Sequence, residues 1–111
     1  MPSEVRAIKF SNDELMTALF RYAQRNGQGR KSGLPTKVKL SQNGEVSARL
    51  YATYQEPLDC NAAYIAAALI LLCVRQRIPI PKKAQKSIHV QDGNVVLVLK
   101  SGDSPPQQIP P

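Results

Sequence analysis

The apolar positions of this chain change period several times, and each change marks an element. VRAIKF (Val5–Phe10) reads as a short strand. Beyond it the spacing becomes helical: Leu15, Leu19, Tyr22 and Ala23 share one face, widened by Met16 and Phe20. Ser11, with Glu14 three residues later, forms the pattern of a capping box, and Phe10 and Leu15 stand where a hydrophobic staple places them. Asp13 and Glu14 lie where the helix dipole favours negative charge. Gly27 is the expected stop, with Arg21 and Arg25 in the last turns.

Period two returns after the loop RNGQGRKSGLP (Arg25–Pro35). In TKVKLSQ, Lys37 and Lys39 alternate with Val38 and Leu40. In EVSARLYATY, Val46, Ala48, Leu50 and Ala52 alternate with Ser47, Arg49, Tyr51 and Thr53. Each run predicts a strand with one buried and one polar face, and QNG between them is a hairpin signal. Asp59 is the expected N-cap of a second helix. From Ala62 to Val74 every residue is apolar apart from the Tyr64 phenol. A membrane-spanning helix needs roughly 20 such residues, so this run predicts a buried helix, ending before Pro79. RIPIPKKAQK is expected to cross over in extended form. Strands Ser87–Gln91 and Val95–Lys100 flank a hairpin turn at Asp92-Gly93.

The predicted order is β-α-β-β-α-β-β. Its first six elements match the ferredoxin-like split β-α-β-β-α-β arrangement, with an extra C-terminal hairpin strand. The expectation is therefore an α+β fold, a mostly antiparallel sheet packed by two helices. It forms a single domain over residues 1–100, followed by a disordered Pro-rich tail over residues 101–111. No internal repeat is visible in the sequence. Such a topology is common and assigns no function by itself.

Composition narrows the chemistry. Hydrophobic content of 42% against 21% charged fits a folded, soluble protein, and with 5% aromatic residues and no Trp the core must be aliphatic. Cys60 and Cys73 both fall on the predicted second helix, about 20 Å apart, beyond the roughly 7 Å a disulfide allows between Cα atoms. With no long apolar stretch at the N-terminus, a reducing, cytoplasmic setting without a membrane is expected.

Catalysis finds little support. The single His89 alternates with Ile88 and Val90 and is expected on a polar strand face. Glu14, Asp13, Asp59 and Asp92 have structural roles, and Glu4, Glu45, Glu56 and Asp103 are scattered. Cys60, in the predicted first helical turn, is the sharpest nucleophile candidate, but Asp59 beside it opposes a thiolate. One His and two distant Cys do not make a four-ligand zinc site. The expectation is a non-enzymatic protein with no metal and no cofactor. The loop after the first helix also fails as a phosphate cradle. It lacks the Gly-Lys pair of a Walker A sequence, and it follows a helix instead of opening one. It therefore presents carbonyls, and anion contacts there must come from the side chains of Arg25, Arg30 and Lys31.

Charge gives the strongest functional signal. The net charge is +7, with 15 Lys and Arg against 8 Asp and Glu. Arg21, Arg25, Arg30, Lys31, Lys37 and Lys39 fall in one acid-free segment, and Arg75, Arg77, Lys82, Lys83 and Lys86 in another. In the split arrangement the two helices run the same way, so these segments are expected to converge at one end of the domain. The candidate anion or nucleic-acid contacts are Arg25, Arg30, Lys31, Lys37, Lys39, Arg77, Lys82, Lys83 and Lys86, with Arg49, Tyr51 and His89 placed to add stacking or phosphate contacts. No RRM-type aromatic motif is present, which leaves sequence-specific base reading unsupported. The all-apolar second helix and the final strand, VVLVL, also predict more apolar surface than two layers cover, and so a partner or a homodimer. The expected function is a small binding module whose basic end takes nucleic acid or another polyanion. The alternative is a dimeric protein-interaction or regulatory module with no nucleic-acid role.

Overall fold

The computed structural model describes residues 4–27, 34–53 and 56–101. Eight elements follow one another: β1 (Glu4–Phe10), α1 (Asn12–Arg25), β2 (Pro35–Asn43), β3 (Glu45–Ala52), β4 (Leu58–Cys60), α2 (Ala62–Arg75), β5 (Gln85–Gln91) and β6 (Asn94–Ser101). The α+β class holds, but the ferredoxin-like arrangement does not. The strands form two three-stranded antiparallel sheets, ordered β1-β6-β5 and β2-β3-β4, called sheet A and sheet B below. The cause is β4, whose three residues are too few to show a period in the sequence. It pairs with β3 through Ala48–Cys60, Arg49–Asp59 and Leu50–Leu58. Sheet B is thereby completed before α2 begins, and the last hairpin is left to pair with β1.

The two sheets are built alike. Each consists of a hairpin (β2-β3 or β5-β6) whose second strand also pairs with a strand from the other half of the chain, β4 or β1. The chain is thus two β-α-β-β units that exchange their leading strands. Helices α1 and α2 are both 14 residues long. Ser11 and Asn61 cap their N-termini, and Asn26 and Gln76 their C-termini. The residues that follow, Gly27 and Arg77, both have positive φ, at 74° and 60°. No repeat shows in the sequence because equivalence is kept in position and burial, not in residue type: Leu15 with Ile65, Ala18 with Ala68, Leu19 with Leu69 and Ala23 with Cys73 are all buried.

Local chemistry explains each helix boundary. At α1 the expected capping box is formed: the Glu14 N–H donates to Ser11 Oγ at 3.1 Å and the Ser11 N–H to Glu14 Oε1 at 2.8 Å. Both staple residues, Phe10 and Leu15, are buried. At α2 the cap is Asn61, not Asp59: Asn61 Oδ1 accepts from the Tyr64 N–H at 2.8 Å, while Asp59 is spent in β4. The C-terminus of α2 closes in a Schellman motif, with the Ile78 N–H on the Cys73 carbonyl at 2.8 Å and the Arg77 N–H on that of Val74 at 3.1 Å.

Both helices and the inner faces of both sheets enclose one aliphatic core, with Leu15, Leu19, Ile65, Leu69, Val95 and Leu97 fully buried at its centre. No buried polar or charged side chain interrupts it among the described residues. Tyr22, in the third turn of α1, packs edge-on against Tyr64, in the first turn of α2, with ring centroids 4.8 Å apart. No helix among the described residues is long and apolar enough to cross a membrane. Ser101 ends β6, and the remainder of the predicted tail lies outside the described residues.

Candidate anion-binding face

The anticipated meeting of the two basic segments loses its premise in this topology. It required the strands expected before the two helices, β1 and β3, to be parallel neighbours, and they lie in different sheets. The Tyr22–Tyr64 contact sets the C-terminal half of α1 against the N-terminal turn of α2. Arg75 lies roughly 16 Å further along α2 than Tyr64, at 1.5 Å per residue. The two segments instead occupy equivalent places in the two halves: the end of α1 leads into sheet B, the end of α2 into sheet A.

What the fold does bring together is the outer face of sheet B. Lys37 is the cross-strand partner of Tyr51, and Lys39 of Arg49. The inward residues Val38, Leu40, Ala48 and Leu50 pack into the core, so period two turns Lys37, Lys39, Arg49 and Tyr51 outward together. The Lys37 ammonium stands 5.3 Å from the Tyr51 ring centroid, within cation–π range. Arg49 reaches the next strand and donates from Nε to Asp59 Oδ1 at 2.7 Å. The Asp59 hydrogen bond and charge, with a smaller contribution from Tyr51, raise the Arg49 pKa and keep the guanidinium charged.

This face continues into an open depression of about 720 Å³, whose lining includes Lys39, Ser41, Ser47, Arg49, Tyr51 and Asp59 and ends at Asn61 and Tyr64. Its far wall is therefore the N-terminus of α2, the positive end of the helix dipole, and the first turn of α2 carries no acid. Two cations, Lys39 and Arg49, the Tyr51 phenol and a helix N-terminus border this groove, against the single carboxylate of Asp59, and Lys37 stands beside it over the Tyr51 ring. Sequence reasoning singled out Lys37 and Lys39 as contacts and held Arg49 and Tyr51 as auxiliaries. It missed Asp59, Asn61 and Tyr64, because the β3–β4 pairing that brings them alongside leaves no periodic signal.

The other candidates lie elsewhere. Arg25 is exposed in the last turn of α1, while Arg30 and Lys31 lie outside the described residues. Arg77 holds the left-handed position after α2. Lys82 and Lys83 are exposed in the turn closed by the Ala84 N–H on the Pro81 carbonyl, and Lys86 Nζ donates to the Ala84 carbonyl at 2.9 Å. His89 is exposed on sheet A, 3.0 Å from Ser87 Oγ, and so belongs to the other sheet. The expected nucleophile is also displaced. Cys60 ends β4 instead of opening α2, is 1% exposed, and burial reinforced by Asp59 pushes its thiol up to about 11. No group of three metal-binding side chains occurs among the described residues. No family model, curated protein or solved structure matches this chain.

Proposed function

We propose that this chain is a small non-catalytic binding module whose sheet B face takes single-stranded nucleic acid. The observation that carries the reading is the outward register of Lys37 with Tyr51 and Lys39 with Arg49. A row of cations on a rigid strand pair suits a phosphate backbone, whose spacing is regular and whose charge dominates affinity. The Tyr51 ring beside them suits a base face, which stacks on an aromatic irrespective of sequence. The groove ends on a helix N-terminus, which favours a further phosphate.

Titration of a labelled single-stranded oligonucleotide at several salt concentrations tests this, with duplex and heparin as comparisons. Binding that weakens with salt and prefers the single strand to heparin supports it. Undetectable binding at low salt rejects it. The alternative, a dimeric interaction module, is favoured by a separate feature, the exposed apolar side of α2.

A further inference from the structure

Helix α2 exposes an apolar stripe that the fold does not require. Ala63, Ala67, Leu71 and Val74 lie along its outer side; Ala63 is exposed, Ala67 and Leu71 are half-buried, and Val74 is 60% exposed. The internal equivalence of the two helices supplies the comparison. The matching positions of α1 are Asp13, Thr17, Arg21 and Gln24, all polar. The same place in the same architecture is thus wetted in one helix and greasy in the other, so apolar residues there serve something outside the core.

We propose that the occupant is a second copy of this chain, α2 packed antiparallel on α2 about a two-fold axis. Such an interface is self-complementary, as a two-fold requires. The small side chains of Ala63 and Ala67 let the helix backbones approach closely, and Leu71 and Val74 fill the space towards the other end. The charges at the stripe's ends also match. Antiparallel packing brings the exposed Arg75 of each copy to the N-terminal end of the other α2. There, Asp59 remains 74% exposed despite its bond to Arg49. The same packing opposes the two helix dipoles.

Sedimentation equilibrium of the full chain, from micromolar to millimolar concentration, tests the proposal. The expected result is a mass rising from one chain towards two. Leu71→Glu, with helical content checked by circular dichroism, is expected to hold the chain monomeric in runs without oligonucleotide. Because no nucleic acid is present in these runs, the result is separable from the reading of sheet B. Asp59→Arg or Arg75→Asp alone is expected to weaken association about ten-fold, and the two together to restore it. Monomer at every concentration, or a dimer indifferent to Leu71→Glu, overturns the proposal. So does a monomer that dimerises only when residues after Ser101 are removed, which would assign the stripe to the chain's own tail.

Discussion

Arg49 is held by Asp59 across the β3–β4 pair, with Nε 2.7 Å from Oδ1 and Nη2 3.4 Å from Oδ2. Both side chains are more than half exposed, and an exposed ion pair of this kind contributes little to folding. On the proposed function its larger effect would be on ligand binding, since Asp59 occupies the guanidinium edge that a phosphate oxygen would take. Asp59→Asn keeps the side-chain shape and removes the charge. It is expected to tighten single-strand binding by about two- to five-fold at low salt, with the melting temperature nearly unchanged. A filter-binding or anisotropy titration decides; weaker binding would show that Asp59 contacts the ligand side and not only Arg49.

Lys37 and Lys39 test the register from which the site is read. Charge reversal of either is expected to lower affinity for every oligonucleotide sequence and to reduce the slope of log K against log salt by about one. Tyr51→Ala is expected to behave differently, losing about 1–3 kcal/mol of stacking on a single strand while leaving heparin affinity almost intact. Equal losses on both ligands from Tyr51→Ala would mean that the ring only supports Lys37.

Arg77 bears on stability. Its φ of 60° is one that side-chain-bearing residues adopt at a cost, and the equivalent position after α1 is Gly27. Arg77→Gly retains the Schellman hydrogen bonds and is expected to stabilise the fold by about 1 kcal/mol, measured by urea denaturation. Because Arg77 lies away from sheet B, the same substitution is expected to leave single-strand affinity within two-fold. A large loss of affinity would move the binding surface to the end of α2.

Cys60 gives a pH signature. Its thiol, normally near 9, is held up to about 11, by burial first and Asp59 second. The folded chain therefore keeps a proton that the unfolded chain releases above about pH 9, and stability falls as pH rises from there through about 11. Tyr64, raised to about 12 by burial foremost, extends the same trend. Denaturation midpoints measured between pH 7 and 11 are expected to be level at first and then to decline. At neutral pH a thiol reagent should label Cys60 at a rate set by unfolding; labelling as fast as in urea would contradict its burial.

How much of this was legible in the sequence depended on periodicity. Helix α1 was readable to its caps because Ser11, Glu14, Phe10 and Leu15 all agree. The two hairpins were readable because Lys37/Val38/Lys39/Leu40 and the Asp92-Gly93 turn carry local signals. Strand β4 was not, because Leu58-Asp59-Cys60 is defined only by pairing with residues of β3 ten or so positions away. Missing it turned Asp59 into a helix cap, set Cys60 in α2 and merged two sheets into one. The convergence of the basic segments rested on that merged sheet. The face that did form was half visible, since Lys37, Lys39, Arg49 and Tyr51 alternate in the sequence, but the register that aligns them belongs to the fold.

The central claim is that nucleic acid lies across sheet B. Amide chemical-shift mapping during titration with a short single-stranded oligonucleotide tests it most directly. The largest shifts are expected at Lys37–Ser41, Ser47–Tyr51 and Asp59–Tyr64, with β5 and the Arg75–Lys86 segment nearly still. Shifts concentrated between Arg75 and Lys86, or none at all at low salt, would contradict the account.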